Sequence, residues 1–166
     1  DIQMAGVVMD PKTGKVLALS GGRDYNKSQY NRATMAKRQV GSTIKPFLYY
    51  SALENGFTPS TTFTSEKTTF SFSGNKTYTP KNYNDEYANG PISLAAAISY
   101  SDNVYAVKTH LFLGDDALPD ILRRVGIDEE LNNLPSLALG AEEINMMDMM
   151  AAYSTLANEG YKVKPY

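Results

Sequence analysis

Cysteine is absent from this 166-residue chain. Disulfides and thiolate metal sites are therefore excluded, and the absence fits an exposed extracytoplasmic setting. Histidine is nearly absent too: His110 stands alone, so no multi-histidine zinc cluster can form and any Ser-His-Asp triad would have to use it. It falls late in an apolar helical segment and reads as a packing residue. No apolar run is long enough to span a membrane, and no signal peptide is visible. An excess of charge of either sign is missing as well. The net charge is −2, which leaves no electrostatic footprint for nucleic acid.

What is present is ordinary globular composition, with 42% hydrophobic and 20% charged residues. The length suits one domain. The chain opens at Asp1 inside what reads as a strand, as a piece of a larger protein would. Residues 2–9 and 15–19 read as two strands. Asp10-Pro11-Lys12-Thr13-Gly14 joins them as a hairpin signal. Residues 23–40 are polar and read as irregular.

The stretch that organises the rest runs from Gly41 to Glu54. Its pattern is helical but without a clean polar face: Ile44, Phe47, Leu48, Ser51 and Ala52 cover one side, Tyr49 and Leu53 the other. A helix apolar nearly all round is a buried helix. Yet Lys45 lies three residues after Ser42, so amine and hydroxyl share a face. Burial lowers a lysine's proton affinity, and the positive helix end is expected to lower it further. A neutral amine beside a hydroxyl can take its proton and make the serine a nucleophile. Pro46, one turn in, cannot donate to the Ser42 carbonyl and is expected to leave Ser42 off the regular ladder. A second Ser-x-x-Lys, Ser73-Gly74-Asn75-Lys76, straddles a turn and has no helix to align it.

Residues 57–90 form a long segment rich in Thr, Ser, Asn and Tyr, with a small hairpin predicted around Gly74-Asn75, near 69–79. Its aromatic content argues against disorder. Ser93 is placed as the cap of a short helix over 94–98. The chain breaks at Ser99–Asn103, and helices follow over Val104–Leu113 and Leu118–Val125. Leu134–Gly140 reads as a loop with apolar content. Asn145 is placed as the cap of a last helix, striped by Met146, Met149, Met150 and Tyr153 and closed at Gly160.

Ser101-Asp102-Asn103 sits at a predicted helix–helix corner, 59 residues after Ser42. Asp or Asn at a helix start is ordinarily a cap. A hydroxyl and an amide on a rigid corner could also reach a cleft lined by the buried helix. Ser-x-x-Lys on a buried helix followed by Ser-x-Asn resembles the active-site set of the penicilloyl serine transferases. Asn31-Arg32-Ala33, Gly41-Ser42-Thr43-Ile44-Lys45-Pro46-Phe47, Pro80-Lys81-Asn82-Tyr83, Leu137-Ala138-Leu139-Gly140 and Ala151–Gly160 extend the match. Together they resemble the transpeptidase domain of class A penicillin-binding proteins over nearly the whole chain.

The resemblance implies an α+β fold, an antiparallel sheet flanked by a helical cluster, with residues 1–166 as its N-terminal portion. It implies a peptidoglycan DD-transpeptidase that works without cofactor or metal. By this likeness Ser42 attacks the carbonyl between the two terminal D-alanines of a stem peptide and Lys45 takes its proton. Ser101 relays a proton to the leaving amine, Asn103 binds the substrate, and the Ser42 N–H forms half of an oxyanion hole. β-Lactams acylate Ser42 and stall there. The implied setting is the extracytoplasmic face of a bacterial membrane, with the anchor in a segment absent from this chain.

One departure stands out. The family's Lys-Thr/Ser-Gly strand does not follow residue 103. Lys12-Thr13-Gly14 has the right letters inside a hairpin turn and reads as coincidence. One core hairpin cannot cover the apolar surface of so many helices, so the remainder of the domain is expected to complete the site. A serine β-lactamase is the competing enzyme; its Glu-x-x-Leu-Asn finds only Asp128-Glu129-Glu130-Leu131-Asn132, with an aspartate one methylene short. A non-catalytic β-lactam sensor is the competing non-enzyme.

Overall fold

The computed structural model describes residues 2–166. In chain order the elements are β1 (Gly6–Met9), β2 (Val16–Ser20), α1 (Arg32–Met35), β3 (Lys37–Gln39), a 3₁₀ turn (Gly41–Ile44), α2 (Lys45–Glu54), β4 (Thr62–Ser65), β5 (Phe70–Phe72), β6 (Lys76–Tyr78), a 3₁₀ turn (Tyr83–Asp85), β7 (Gly90–Ser93), α3 (Leu94–Tyr100), α4 (Asn103–Leu113), α5 (Ala117–Arg124), a 3₁₀ turn (Pro135–Leu139), β8 (Glu143–Asn145) and α6 (Met146–Ala157). The mixture is α+β, as expected. Among the described residues the strands pair in antiparallel twos: β1 with β2, β3 with β8, β4 with β7 and β5 with β6. Two compact units result. One comprises Asp1–Gln39, Leu122–Glu130 and Glu142–Tyr166; the other comprises Val40–Ile121 and Leu131–Ala141.

In the first unit the predicted hairpin forms. Asp10 organises its turn by accepting from the Lys12 N–H at 2.9 Å and the Thr13 hydroxyl at 2.8 Å. Gly14 closes the turn at φ +81°, so Lys12-Thr13-Gly14 has a plain turn role. The Tyr166 backbone joins the hairpin, accepting from the Val16 N–H at 2.9 Å and donating to the Gly14 carbonyl at 3.1 Å. Val8, Leu17 and Leu19 remain exposed on β1 and β2.

Residues 23–40 are more ordered than their polarity suggests. Asn31 caps α1, accepting from the N–H groups of Ala33 and Thr34. β3 then pairs with β8, more than a hundred residues on. Lys37, Arg38 and Gln39 are all exposed, so this strand carries no hydrophobic alternation to betray it. Asn145 ties the ends together: its Oδ1 caps α6 at the Met147 N–H, and its Nδ2 donates to the carbonyls of Thr34 at 2.9 Å and Ala36 at 3.2 Å. Along α6, Met149 and Ala152 are buried.

The second unit is built on α2 and α4. Ile44, Phe47, Leu48, Ala52, Val104, Tyr105 and Val107 are fully or almost fully buried there. The polar segment over 57–90 is anchored by rings. Phe63 on β4 stacks edge-on against Tyr105 at 5.2 Å between centroids, and Phe57 meets Phe112 at 5.4 Å. β4 and β7 were not legible as a pair; the predicted hairpin corresponds to β5 and β6. Its turn holds Gly74 at φ +75° and Asn75 at φ 57°. The second Ser-x-x-Lys therefore lies on an open turn, as expected. His110 is fully buried on α4, and neither ring nitrogen has a hydrogen-bond partner among the described residues. Burial lowers its proton affinity. His110 thus lies among the buried residues of α4, where the sequence placed a packing residue.

Candidate functional site

Gly41–Ile44 is a 3₁₀ turn, and α2 begins only at Lys45. The helix start therefore lies later than Gly41, and Pro46 is not one turn in. Pro46 does not interrupt the helix, because it falls in the first α-helical turn, where a missing N–H is harmless. The Ser42 carbonyl lies off the α-helical ladder, as expected, but is not left unpaired: it accepts the Lys45 N–H in the 3₁₀ turn. Three residues per 3₁₀ turn bring positions i and i+3 into eclipse. Ser42 and Lys45 therefore align more closely than on an α-helix. Ser42 is exposed, whereas Lys45 is buried, at 3% accessibility.

The turn is held from the opposite side by glycine. The Gly41 N–H donates to the Gly140 carbonyl at 3.0 Å. Gly140 has φ +69°, and a Cβ there would overlap the Gly41 backbone. Leu137-Ala138-Leu139-Gly140 is thus a backbone brace for the serine turn, with Leu137 and Ala138 buried beneath it.

The second motif forms the predicted corner. Ser101 is the C-cap of α3 in a left-handed conformation, φ 53° and ψ 45°. Asp102 caps α4, accepting from the Tyr105 N–H at 2.7 Å. Asn103 opens α4. The Lys45 ammonium nitrogen reaches this corner with all three of its donors. It lies 2.7 Å from the Ser101 carbonyl, 3.0 Å from the Ser101 Oγ and 2.6 Å from the Asn103 Oδ1. Lys45, Ser101 and Asn103, placed up to 58 positions apart in sequence, therefore form one cluster.

Burial lowers the Lys45 pKa to about 8, while the nearby Asp102 charge opposes the shift. The expected depression is present, with desolvation as its cause. At pH 7 about a tenth of such an amine is neutral, and half is neutral at pH 8. An amine of this kind can take a proton from a hydroxyl and return it.

Behind the cluster lies a layer that the spacing of motifs did not reveal. Asp102 is buried and accepts from the Ser65 hydroxyl and, at 2.7 Å, from the Asn82 Nδ2. The Asn82 Oδ1 accepts from the Asn103 N–H at 2.8 Å and from the Val104 N–H at 3.4 Å. The Asn103 Nδ2 donates to the Lys81 carbonyl at 2.6 Å, with no partner for its second amide hydrogen among the described residues. Asn82 belongs to Pro80-Lys81-Asn82-Tyr83, a motif noted in the sequence without a role. Ser65 carried no signal: a buried serine looks like any surface serine until its partner is known.

Among the described residues no group of His, Cys, Asp or Glu could hold a metal ion. In the string compared with Glu-x-x-Leu-Asn, Asp128 is exposed and Glu129 is bonded to Lys37 at 2.7 Å.

Several known proteins are similar to this chain. Residues 4–166 match the family model for the penicillin binding protein transpeptidase domain. Penicillin-binding protein 2D of Bacillus subtilis is 54% identical over 166 residues, which cover 99% of this chain and 24% of that protein. Penicillin-binding protein 1A of Escherichia coli is 37% identical over 168 residues, covering 100% of this chain and 20% of that protein. The crystal structure of penicillin-binding protein 1A from Haemophilus influenzae superposes with a TM-score of 0.94 at 34% identity, covering 99% of this chain and 24% of that one. PonA1 from Mycobacterium tuberculosis, solved in complex with penicillin V, gives 0.80 at 26% identity over 98% of this chain and 46% of that one. The chain thus spans about a quarter or less of the length of these curated relatives.

Proposed function

The chain belongs to the transpeptidase domain family of penicillin-binding proteins, and from that premise we propose that it carries the acylating centre of a peptidoglycan DD-transpeptidase. The observation that carries the reading is the Lys45 amine, buried and bonded at once to Ser101 and Asn103, one eclipsed turn from Ser42.

In this reading the Ser42 Oγ attacks the carbonyl between the terminal D-alanines of a stem peptide as Lys45 takes its proton. The Ser42 N–H, in a first helical turn where such groups lack intrahelical partners, faces the developing oxyanion. Breakdown of the tetrahedral intermediate cleaves the C–N bond. The proton held by Lys45 passes through the Ser101 hydroxyl to the leaving amine, and D-alanine departs. An amine of a second strand then attacks the ester, gives its proton back along the same path, and restores Ser42. The free amide hydrogen of Asn103 is placed to hold the peptide backbone. A β-lactam follows the first half of this course and stays as the acyl-enzyme.

The proposed setting is the extracytoplasmic face of a bacterial membrane, where stem peptides lie; no described helix is long and apolar enough to cross a membrane. The remainder of the domain is proposed to cover the exposed Val8, Leu17 and Leu19 of the β1–β2 hairpin and to supply the second oxyanion donor. The test is D-alanine release from a stem-peptide analogue with an amine acceptor present. Release coupled to a new peptide cross-link supports transpeptidation. Rapid release of hydrolysed penicillin instead would favour the β-lactamase, and stable acylation without any peptide turnover would favour the sensor.

A further inference from the structure

We propose that Asn82 is a positioning residue for the Lys45–Ser101–Asn103 cluster, its one carboxamide fixing the corner from which Ser101 and Asn103 project. This rests on the transpeptidase reading of the site.

The carboxamide works in both directions. Its Nδ2 donates to Asp102 at 2.7 Å, with the Ser65 Oγ 3.4 Å away. Its Oδ1 takes the first two N–H groups of α4, from Asn103 and Val104. The third, from Tyr105, goes to the Asp102 Oδ1. The orphan donors of that helix start are therefore shared between Asn82 and the residue it bonds. The neighbouring Lys81 carbonyl holds the Asn103 Nδ2, which turns the Asn103 Oδ1 toward Lys45. The loop bearing Asn82 is thus bonded to both faces of Asn103, backbone and side chain. Ser101 holds a left-handed conformation unfavourable for a serine, of the kind that persists only where surroundings over-determine it. Asn82 and Lys45 clamp the corner from either side. An amide supplies this pattern at any pH: it puts a donor toward a carboxylate and an acceptor toward two N–H groups on one planar group, which a carboxyl does only while protonated.

The charged groups around it are few. Asp102 faces it from the α4 corner, and Lys45 from α2 lies beyond Asn103. On its own loop Lys81 pairs with Asp85 at 3.7 Å, and Glu86 lines the same cleft.

The test is the kinetics of acylation by a fluorescent penicillin, resolved into encounter dissociation constant and acylation rate constant. Asn82→Leu should lower the rate constant about 100-fold, the scale of a small misplacement of reacting groups, with the dissociation constant changed less than about threefold. Asn82→Asp adds a readout that general destabilisation lacks. The introduced carboxyl would face Asp102, and two carboxylates so close share one proton. While it holds that proton it can donate to Asp102 and still accept from the N–H groups. Its rate relative to wild type should therefore be near one at low pH and fall as the shared proton is lost. A flat ratio near one across pH, or an Asn82→Leu rate within twofold of wild type, overturns the proposal; should the leucine variant not fold, the aspartate profile decides. All these rates are read on the complete transpeptidase domain, and wild-type domain that takes no label at Ser42 refutes the function itself, and this proposal with it.

Discussion

The Gly140 carbonyl accepts the Gly41 N–H at 3.0 Å, which sets the loop before β8 directly against the turn that carries Ser42. The two backbones approach too closely for any side chain at position 140, and its φ of +69° independently disfavours one. The atoms it would meet are backbone, so no rotamer change relieves the overlap.

Gly140→Ala is accordingly expected to cost at least about 1–3 kcal/mol, the range for a strained backbone position. It should also slow penicillin acylation by shifting the Ser42 turn. Urea unfolding checks the first effect and labelling kinetics the second. Wild-type values in both would show that the brace is slack.

Ser101 offers the opposite trade. A left-handed helix C-cap is ordinarily a glycine position, and Ser101 occupies one. Ser101→Gly should raise the unfolding free energy by up to about 1 kcal/mol while abolishing the proton relay. Thermal or urea unfolding read beside D-alanine release tests the pair. Lower stability together with full activity would contradict both halves of the argument.

The Lys45 pKa, lowered from 10.5 to about 8, makes a claim about stability as well as catalysis. Between those values the unfolded chain binds more protons than the folded one, so stability from this group rises with pH over that window. Below pH 8 the folded protein bears the cost of a buried ammonium. Buried Tyr49 and Tyr105, whose phenols titrate high, act in the reverse sense above pH 10. Comparison with Lys45→Met cancels them. Wild type should gain on that variant from pH 8 to 10.5, and a constant difference would mean the lysine is not depressed. In acylation, Lys45→Arg should lose at least about 100-fold, since arginine keeps its proton.

Legibility in the sequence followed the range of the interactions. Ser42 and Lys45 are three residues apart, and an apolar helix with one lysine is visible in any window. Ser101–Asn103 stood out because a break between helices is local. What stayed hidden depends on distant partners. β3 pairs across more than a hundred residues with three polar side chains, and β4 meets β7 only after an intervening hairpin. Ser65 is fully buried because Asp102 awaits its hydroxyl. Pro46 was misplaced by one turn for a different reason: the 3₁₀ turn, which does take Ser42 off the α-helical ladder, moves the α-helix start to Lys45, and the proline lands where it is tolerated.

The central claim is that the Ser42 hydroxyl, served by Lys45, is the group that becomes acylated. Intact-mass analysis of the complete transpeptidase domain after incubation with penicillin, followed by peptide mapping, tests it most directly. The account predicts a single adduct on the peptide containing Ser42, absent from Ser42→Ala; an adduct that survives that substitution contradicts it.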